Sequence, residues 1–79
     1  MINVYVIQSQ QDFGYYIGIT KNTSKRLLSH NRGKVSSTKK RKPFILVYSE
    51  EYKDYKQARI RETELKSYKG GNALKQLLK

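Results

Sequence analysis

Two tyrosines, an arginine, a histidine and a glutamate are the residues of this chain whose types and spacing could do chemistry together. Tyr5 and Tyr16 lie in two short segments, residues 2–8 and 14–20, both rich in β-branched and aromatic residues and separated by polar Ser9 to Asp12. This pattern predicts an antiparallel hairpin. Side chains alternate along a strand, so Tyr5 points away from Val4 and Val6, while Tyr16 shares its face with Gly14 and Gly18. An even number of loop residues would put Tyr5 on the face of Tyr16 and Gly18, two phenols over a floor kept bare by glycine. The plain alternative is that both are ordinary amphipathic strand tyrosines among the seven in the chain.

Arg26 and His30 stand at i and i+4 on a predicted helix and are therefore stacked on one face. A guanidinium grips phosphate with a fork of donors, and an imidazole can donate to phosphate or carry a proton. Leu27 and Leu28 are available for packing, so the core is not expected to need Arg26 or His30. Glu62 is marked by its position. At 100° per residue, Tyr55, Ala58, Glu62, Leu65 and Lys69 fall within an arc of about 80°, with Glu64 roughly opposite. A carboxylate on an inward stripe needs a cation beside it, either Arg or Lys or a metal ion. One carboxylate with waters and a substrate phosphate is a common way to hold Mg²⁺. The basic stretch from Arg32 to Pro43 carries Lys34, Lys39, Lys40, Arg41 and Lys42 beside serine and threonine hydroxyls. These are the groups that contact nucleic-acid backbones, and the stretch reads as an arm that tracks phosphates, the plain alternative being a solvated loop whose charge serves only solubility.

Around these residues the pattern is compact. Asn22 and Thr23 can cap a helix over Ser24 to Asn31, and Gly33 can stop it. The unbroken apolar run Phe44-Ile45-Leu46-Val47-Tyr48 suits a third strand covered on both faces. Strong helix formers run from Tyr55 to about Lys69, and Gly70-Gly71 interrupts them before Asn72 can cap a short last helix with Ala73, Leu74, Leu77 and Leu78 on one side. The expectation is one α+β domain over residues 1–79, a three-stranded antiparallel sheet flanked by helices in the order β-β-α-β-α-α. Its 79 residues carry 17 Lys and Arg against 6 Asp and Glu, a net charge of +11, which attracts polyanions and nucleic acid above all. With no cysteine and one histidine, the chain alone can build neither a disulfide framework nor a zinc cage. It has no run of 18 apolar residues and no charged lead before its first apolar residues. A cytoplasmic protein that does not engage the membrane is expected.

Taken together these residues resemble the GIY-YIG nuclease superfamily, over essentially the whole chain and most closely its small single-domain bacterial branch. Val4-Tyr5-Val6 stands where the family has its GIY element, of which the tyrosine is retained. Ten residues separate Tyr5 from Tyr16, and Tyr16-Ile17-Gly18 is a complete YIG. Lys25-Arg26-Leu27 with His30 resembles the family's helix bearing arginine and histidine, and Arg61-Glu62-Thr63-Glu64-Leu65-Lys66 resembles the segment with the metal-binding glutamate. Asn72 is only a weak counterpart of a later polar residue in some members.

The resemblance implies single-metal hydrolysis of phosphodiester bonds, with DNA as the expected substrate; weak sequence preference is expected because 79 residues leave no spare helix or ribbon to read bases in a groove. Glu62 would hold Mg²⁺ or Mn²⁺, and Tyr5 would be the general base, with Tyr16 positioning the water or the phosphate. The two tyrosine roles can be exchanged. Arg26 would stabilise charge on the phosphate, and His30 would hold a phosphate oxygen or accept the tyrosine's proton. A free phenol has a pKa near ~10, so the site must offset roughly 4 kcal/mol to present a phenolate at neutral pH. A non-catalytic nucleic-acid-binding module on the same fold is the alternative.

Overall fold

The computed structural model describes residues 1–78, so the last residue of the expected 1–79 domain, Lys79, lies outside the described residues. The elements are β1 (Ile2–Ser9), β2 (Tyr15–Thr20), α1 (Thr23–Asn31), β3 (Phe44–Tyr52), α2 (Tyr55–Ser67) and α3 (Asn72–Leu77). Order, class and antiparallel sheet are those the pattern predicts. β1 is the central strand, paired on one side with β2 and on the other with β3.

The hairpin register follows from its loop. Tyr5 pairs with Gly18 and Ile7 with Tyr16, and continuing that register brings Ser9 opposite Gly14, joined by a bond from Ser9 N–H to Gly14 O of 2.9 Å. Four residues therefore form the turn, and the even count puts Tyr5, Tyr16 and Gly18 on one face. The buried Ser9 hydroxyl organises the turn, accepting from the N–H groups of Gln11 and Asp12 and donating to the Arg41 carbonyl at 2.6 Å.

Helices cover both faces of the sheet. Ile2, Val4 and Val6 of β1 pack with Ile17, Ala58 and Leu65, and Leu74 of α3 closes that side. Tyr5 and Ile7 point the other way, toward Phe44 and Leu27. α1 is capped by Asn22, whose Oδ1 accepts from Lys25 N–H at 3.0 Å, and α2 by Asp54, which accepts from Gln57 N–H. α3 starts differently from expectation: Gly71 takes the cap position, and Asn72 is already the first helical residue. Of the residues expected to face the core from α3, Leu74 is buried and Leu77 and Leu78 pack partly against it, whereas Ala73 is exposed.

β3 corrects the reading of its apolar run. It is an edge strand, with Ile45 and Leu46 largely exposed. The run is unbroken because the alternation changes phase within it. Val6 pairs with Tyr48 but Ile7 with Leu46, so a bulge leaves Val47 between two registers. Tyr48, Glu50 and Tyr52 thus share the face of Val4 and Val6, while Phe44 swings to the face of Tyr5 and Ile7. One extra residue moves a buried aromatic to the side of the sheet that carries His30.

Candidate active site

The Tyr5 face and α1 build the first half of the site. Gly18 lies directly opposite Tyr5, and a Cβ added there would come within 2.5 Å of the phenol oxygen, so no side chain fits. The bare floor is occupied by the phenol itself. Tyr16 stands beside it, with ring centroids 6.4 Å apart.

α1 then places Arg26 and His30 one turn apart with different fates. His30 is fully buried, which corrects the expectation that the core does not need it. Leu28, expected to pack, is largely exposed. The His30 ring lies among Tyr5, Tyr16 and Phe44, with Nε2 3.0 Å from the Tyr5 hydroxyl and Nδ1 2.7 Å from Thr38 Oγ1. Both nitrogens are engaged and shielded, so the expected direct contact of His30 with a phosphate oxygen does not fit this position. Thr38 donates to the Val35 carbonyl, so its oxygen accepts from Nδ1–H. That leaves Nε2 as the acceptor for the Tyr5 proton. The Tyr5 oxygen in turn accepts from Arg26 Nε at 3.4 Å. Val35 carbonyl, Thr38, His30, Tyr5 and Arg26 thus form one directed chain. Thr38 was not anticipated, since it belongs to the loop read only as a phosphate-tracking arm.

The electrostatics follow from burial and from Arg26. Burial raises the Tyr5 phenol above its ordinary pKa, an effect that Arg26 partly opposes. The hydrogen bond to Tyr5 holds Arg26 more firmly protonated. Burial, and then the charge of Arg26, lower His30 below the ordinary imidazole value, which keeps the ring neutral at neutral pH.

α2 supplies the opposite wall. Glu62 is mostly shielded, its side chain 15% exposed, and it lines a pocket of about 250 Å³ together with Tyr5, Tyr16, Gly18 and Arg26. Five of the residues singled out in the sequence meet there, with His30 directly behind Tyr5. Tyr55 and Arg59 line the same pocket and were not anticipated, although each lies on the inward arc or next to it. Lys66 Nζ sits 3.1 Å from Glu62 Oε2, the cation that burial of the carboxylate required.

A divalent ion fits these donors. Among the described residues no three His, Cys, Asp or Glu side chains converge. Glu62 beside open space therefore matches the mode in which Mg²⁺ keeps waters and takes one protein carboxylate plus substrate oxygens.

The basic loop lies elsewhere. Lys34, Lys39, Lys40 and Lys42 are exposed and line none of this pocket, whereas Arg41 pairs with Asp12 at 2.8 Å and stacks over Phe44. Its backbone is tied down through Thr38, through Ser9 and through Gln11, which donates to the Lys42 carbonyl.

Residues 1–74 match the family model described as the GIY-YIG catalytic domain. The chain belongs to the GIY-YIG family. Relatives of similar size include a UPF0213 protein of Staphylococcus haemolyticus, 36% identical over 75 residues that cover 94% of this chain and 90% of the relative. A UPF0213 protein of Staphylococcus aureus strain Mu50 is 39% identical over 66 residues, covering 82% of this chain and 79% of that one. In three dimensions the chain matches the solution NMR structure of a UPF0213 protein from Bacillus halodurans with a TM-score of 0.51 and 29% identity, covering 94% and 92% of the two chains. GIY-YIG membership points to a nuclease fold and a nucleic-acid substrate. No helix among the described residues is long and apolar enough to cross a membrane.

Proposed function

We propose that this GIY-YIG protein is a metal-dependent endonuclease that hydrolyses phosphodiester bonds of DNA with little sequence preference, working in the cytoplasm. The observation that carries the reading is the convergence of the Arg26–Tyr5–His30 hydrogen-bond chain and the Glu62 carboxylate on one pocket. A pure binding module needs positive charge, but it does not need an inward carboxylate facing a phenol whose proton has a waiting acceptor.

Glu62 would hold Mg²⁺ or Mn²⁺, which when bound supplies Lewis-acid stabilisation of charge on the phosphate and the leaving oxygen. The chain's own side chains do the rest. Tyr5 is the general base. Its phenol is hard to ionise alone, because burial raises its pKa. It need not ionise in advance: as the attacking water gives a proton to the Tyr5 oxygen, the phenol proton passes along the hydrogen bond to neutral Nε2 of His30, 3.0 Å from that oxygen. Water becomes the attacking hydroxide, Tyr5 ends protonated, and His30 ends as imidazolium. Arg26 steadies the oxygen while the proton is in transit and stabilises charge on the phosphate. Tyr16, at the pocket wall, positions the water or the phosphate. The exposed lysines of the 32–43 loop add backbone attraction without base reading.

The test is incubation of the purified protein with labelled single- and double-stranded DNA and RNA in Mg²⁺, Mn²⁺ or EDTA. Cleavage of DNA with either metal, abolished by EDTA, is expected. Tight binding without cleavage in every metal condition would overturn the nuclease reading in favour of a binding module.

A further inference from the structure

Among the described residues β2 pairs only with β1, which leaves its other edge free. Two concavities lie end to end along it. The candidate active site takes the Gly18–Ile19 end of β2 with Tyr55, Arg59 and Glu62 from the first half of α2. A larger groove of about 710 Å³ takes the stretch from Gly14 to Ile17 with Leu65, Lys66 and Lys69 from the second half. Tyr16 lines both, so the groove is a direct neighbour of the candidate active site.

The groove's chemistry is consistent along its length. Arg41, Lys66, Lys69 and Lys75 line it, and among the described residues no carboxylate does. Arg41 is already matched by Asp12 and Lys66 by Glu62, while Lys69 and Lys75 form no ion pair among the described residues. Phe13 and Tyr15 add aromatic surface. Phe13 is 63% exposed and holds φ at 61°, a left-handed conformation uncommon for a bulky residue. Its N–H donates to Ser9 O at 3.0 Å and its carbonyl accepts from Gln8 Nε2 at 3.1 Å, so the turn fixes that conformation. A large apolar ring held outward by a strained backbone, beside unmatched lysines, contributes nothing to the core.

We propose that this groove is a second nucleic-acid site, holding an unpaired segment of the strand that leads to the scissile phosphate. A base stacks on Phe13, and phosphates lie against Lys69 and Lys75. A base can stack on a protein ring only when the base's own face is free of its neighbours, as it is in an unpaired strand and not inside a duplex. Exposed aromatics in a cationic groove are the chemistry of single-strand binding rather than of duplex reading. The inference rests on the nuclease reading for its direction, and it names the substrate class: a polynucleotide, DNA or RNA, that is single-stranded next to the cut.

Binding is measured in EDTA, so that cleavage does not intrude, with 2-aminopurine-labelled single strands of DNA and of RNA about a dozen nucleotides long, and with a blunt DNA duplex. Quenching of the label by the wild-type protein on one or both single strands is expected. Phe13→Ala should abolish the quenching and weaken single-strand binding about tenfold, leaving duplex binding unchanged. The double variant Lys69→Ala/Lys75→Ala should weaken single-strand binding and flatten its salt dependence, and it tests the groove without touching the turn. Single-strand affinity unchanged in both variants, or an equal loss on the blunt duplex, would overturn the groove. Quenching that depends on Phe13 in a protein that cuts nothing in Mg²⁺ or Mn²⁺ would keep the groove and overturn the nuclease reading. Cleavage with no dependence of binding on either variant would do the reverse.

Discussion

The hydroxyl of Tyr5 lies 3.0 Å from Nε2 of His30; the imidazole is fully buried, and the tyrosine is nearly so but lines the wall of the site pocket. Tyr5→Phe keeps the ring and removes the oxygen through which protons would pass. Turnover should fall by at least about a hundredfold, the usual scale for loss of a general base, with nucleic-acid affinity nearly unchanged. His30 Nε2 is left without a partner, so the variant should also lose about 1–3 kcal/mol of stability. Rates are therefore compared well below the melting temperature. Near-normal turnover in Tyr5→Phe with a large loss in Tyr16→Phe would exchange the two roles, and little loss in either would end the tyrosine-base mechanism.

The buried imidazole gives a second prediction, in pH. The folded pKa of His30 is depressed by burial and by Arg26, so between that value and the ordinary one near ~6.5 the unfolded chain binds more protons than the folded one. Stability contributed by neutral His30 is present above about pH 6.5 and is lost as pH falls toward the folded pKa. The melting temperature should drop on acidification through this window, and turnover should fall at its lower end, through the folded pKa, since a protonated Nε2 cannot accept from Tyr5. Thr38→Val removes the acceptor that fixes the ring tautomer, so turnover should fall, and Thr38→Ser should restore it. A melting temperature that is flat over roughly pH 7.5 to 5 would contradict the burial of a neutral ring.

The hairpin face, the cap at Asn22 and the inward stripe of Glu62 were legible because each depends on a local period or a local hydrogen bond. Tyr5, Tyr16 and Gly18 meet through nothing more than strand alternation and a turn of even length. His30 was misread because helix geometry says which residues share a face but not which face the sheet will cover. Its partner Thr38 lies eight positions further along the chain, in a loop without periodicity. β3 was misread because a bulge at Val47 and a doubly covered strand leave the same apolar run in a sequence. The pairing of Glu50 with Arg61 spans the joint between β3 and α2, and no spacing rule reaches it.

That pairing yields a third prediction. Glu50 accepts from Arg61 at 2.9 and 3.0 Å, from Tyr52 at 2.6 Å and from Tyr48, fastening α2 to the edge strand. Burial alone would raise the Glu50 pKa, but the hydrogen bonds from Arg61, Tyr48 and Tyr52 together outweigh it and bring it to about 2. A depressed carboxylate stabilises the fold above its unfolded value and ceases to do so as pH falls through its folded one. The wild type should therefore lose up to about 3 kcal/mol between roughly pH 4.5 and 2. Glu50→Gln should already be less stable at neutral pH, by about 2–4 kcal/mol, because Arg61 loses the shielded one of its two carboxylates and keeps only the half-exposed Glu64. Its remaining acid dependence should be correspondingly shallow in chemical denaturation. Equal acid slopes in the two proteins would mean that the network contributes little.

The last prediction separates two carboxylates two positions apart on α2. Glu62 lines the site pocket, whereas Glu64 turns to solvent and pairs with Arg61 on the outer surface. The only cation paired with Glu62 among the described residues is Lys66, whose side chain is 56% exposed. An ion pair with one partner that free in solvent is worth no more than about 1 kcal/mol. Glu62→Gln should therefore fold with close to wild-type stability and lose metal-dependent cleavage, because the amide keeps the shape of the carboxylate but not its charge. Glu64→Gln should stay within about 0.5 kcal/mol of wild type and keep near-normal turnover. A structural role for Glu62 predicts a different pattern, in which Glu62→Gln melts several degrees lower and activity falls only in proportion to the unfolded fraction. Melting curves, cleavage rates and Mn²⁺ titrations on the two variants distinguish these outcomes. A well-folded Glu62→Gln protein that still cuts at the wild-type rate in Mg²⁺ would remove Glu62 from the metal site.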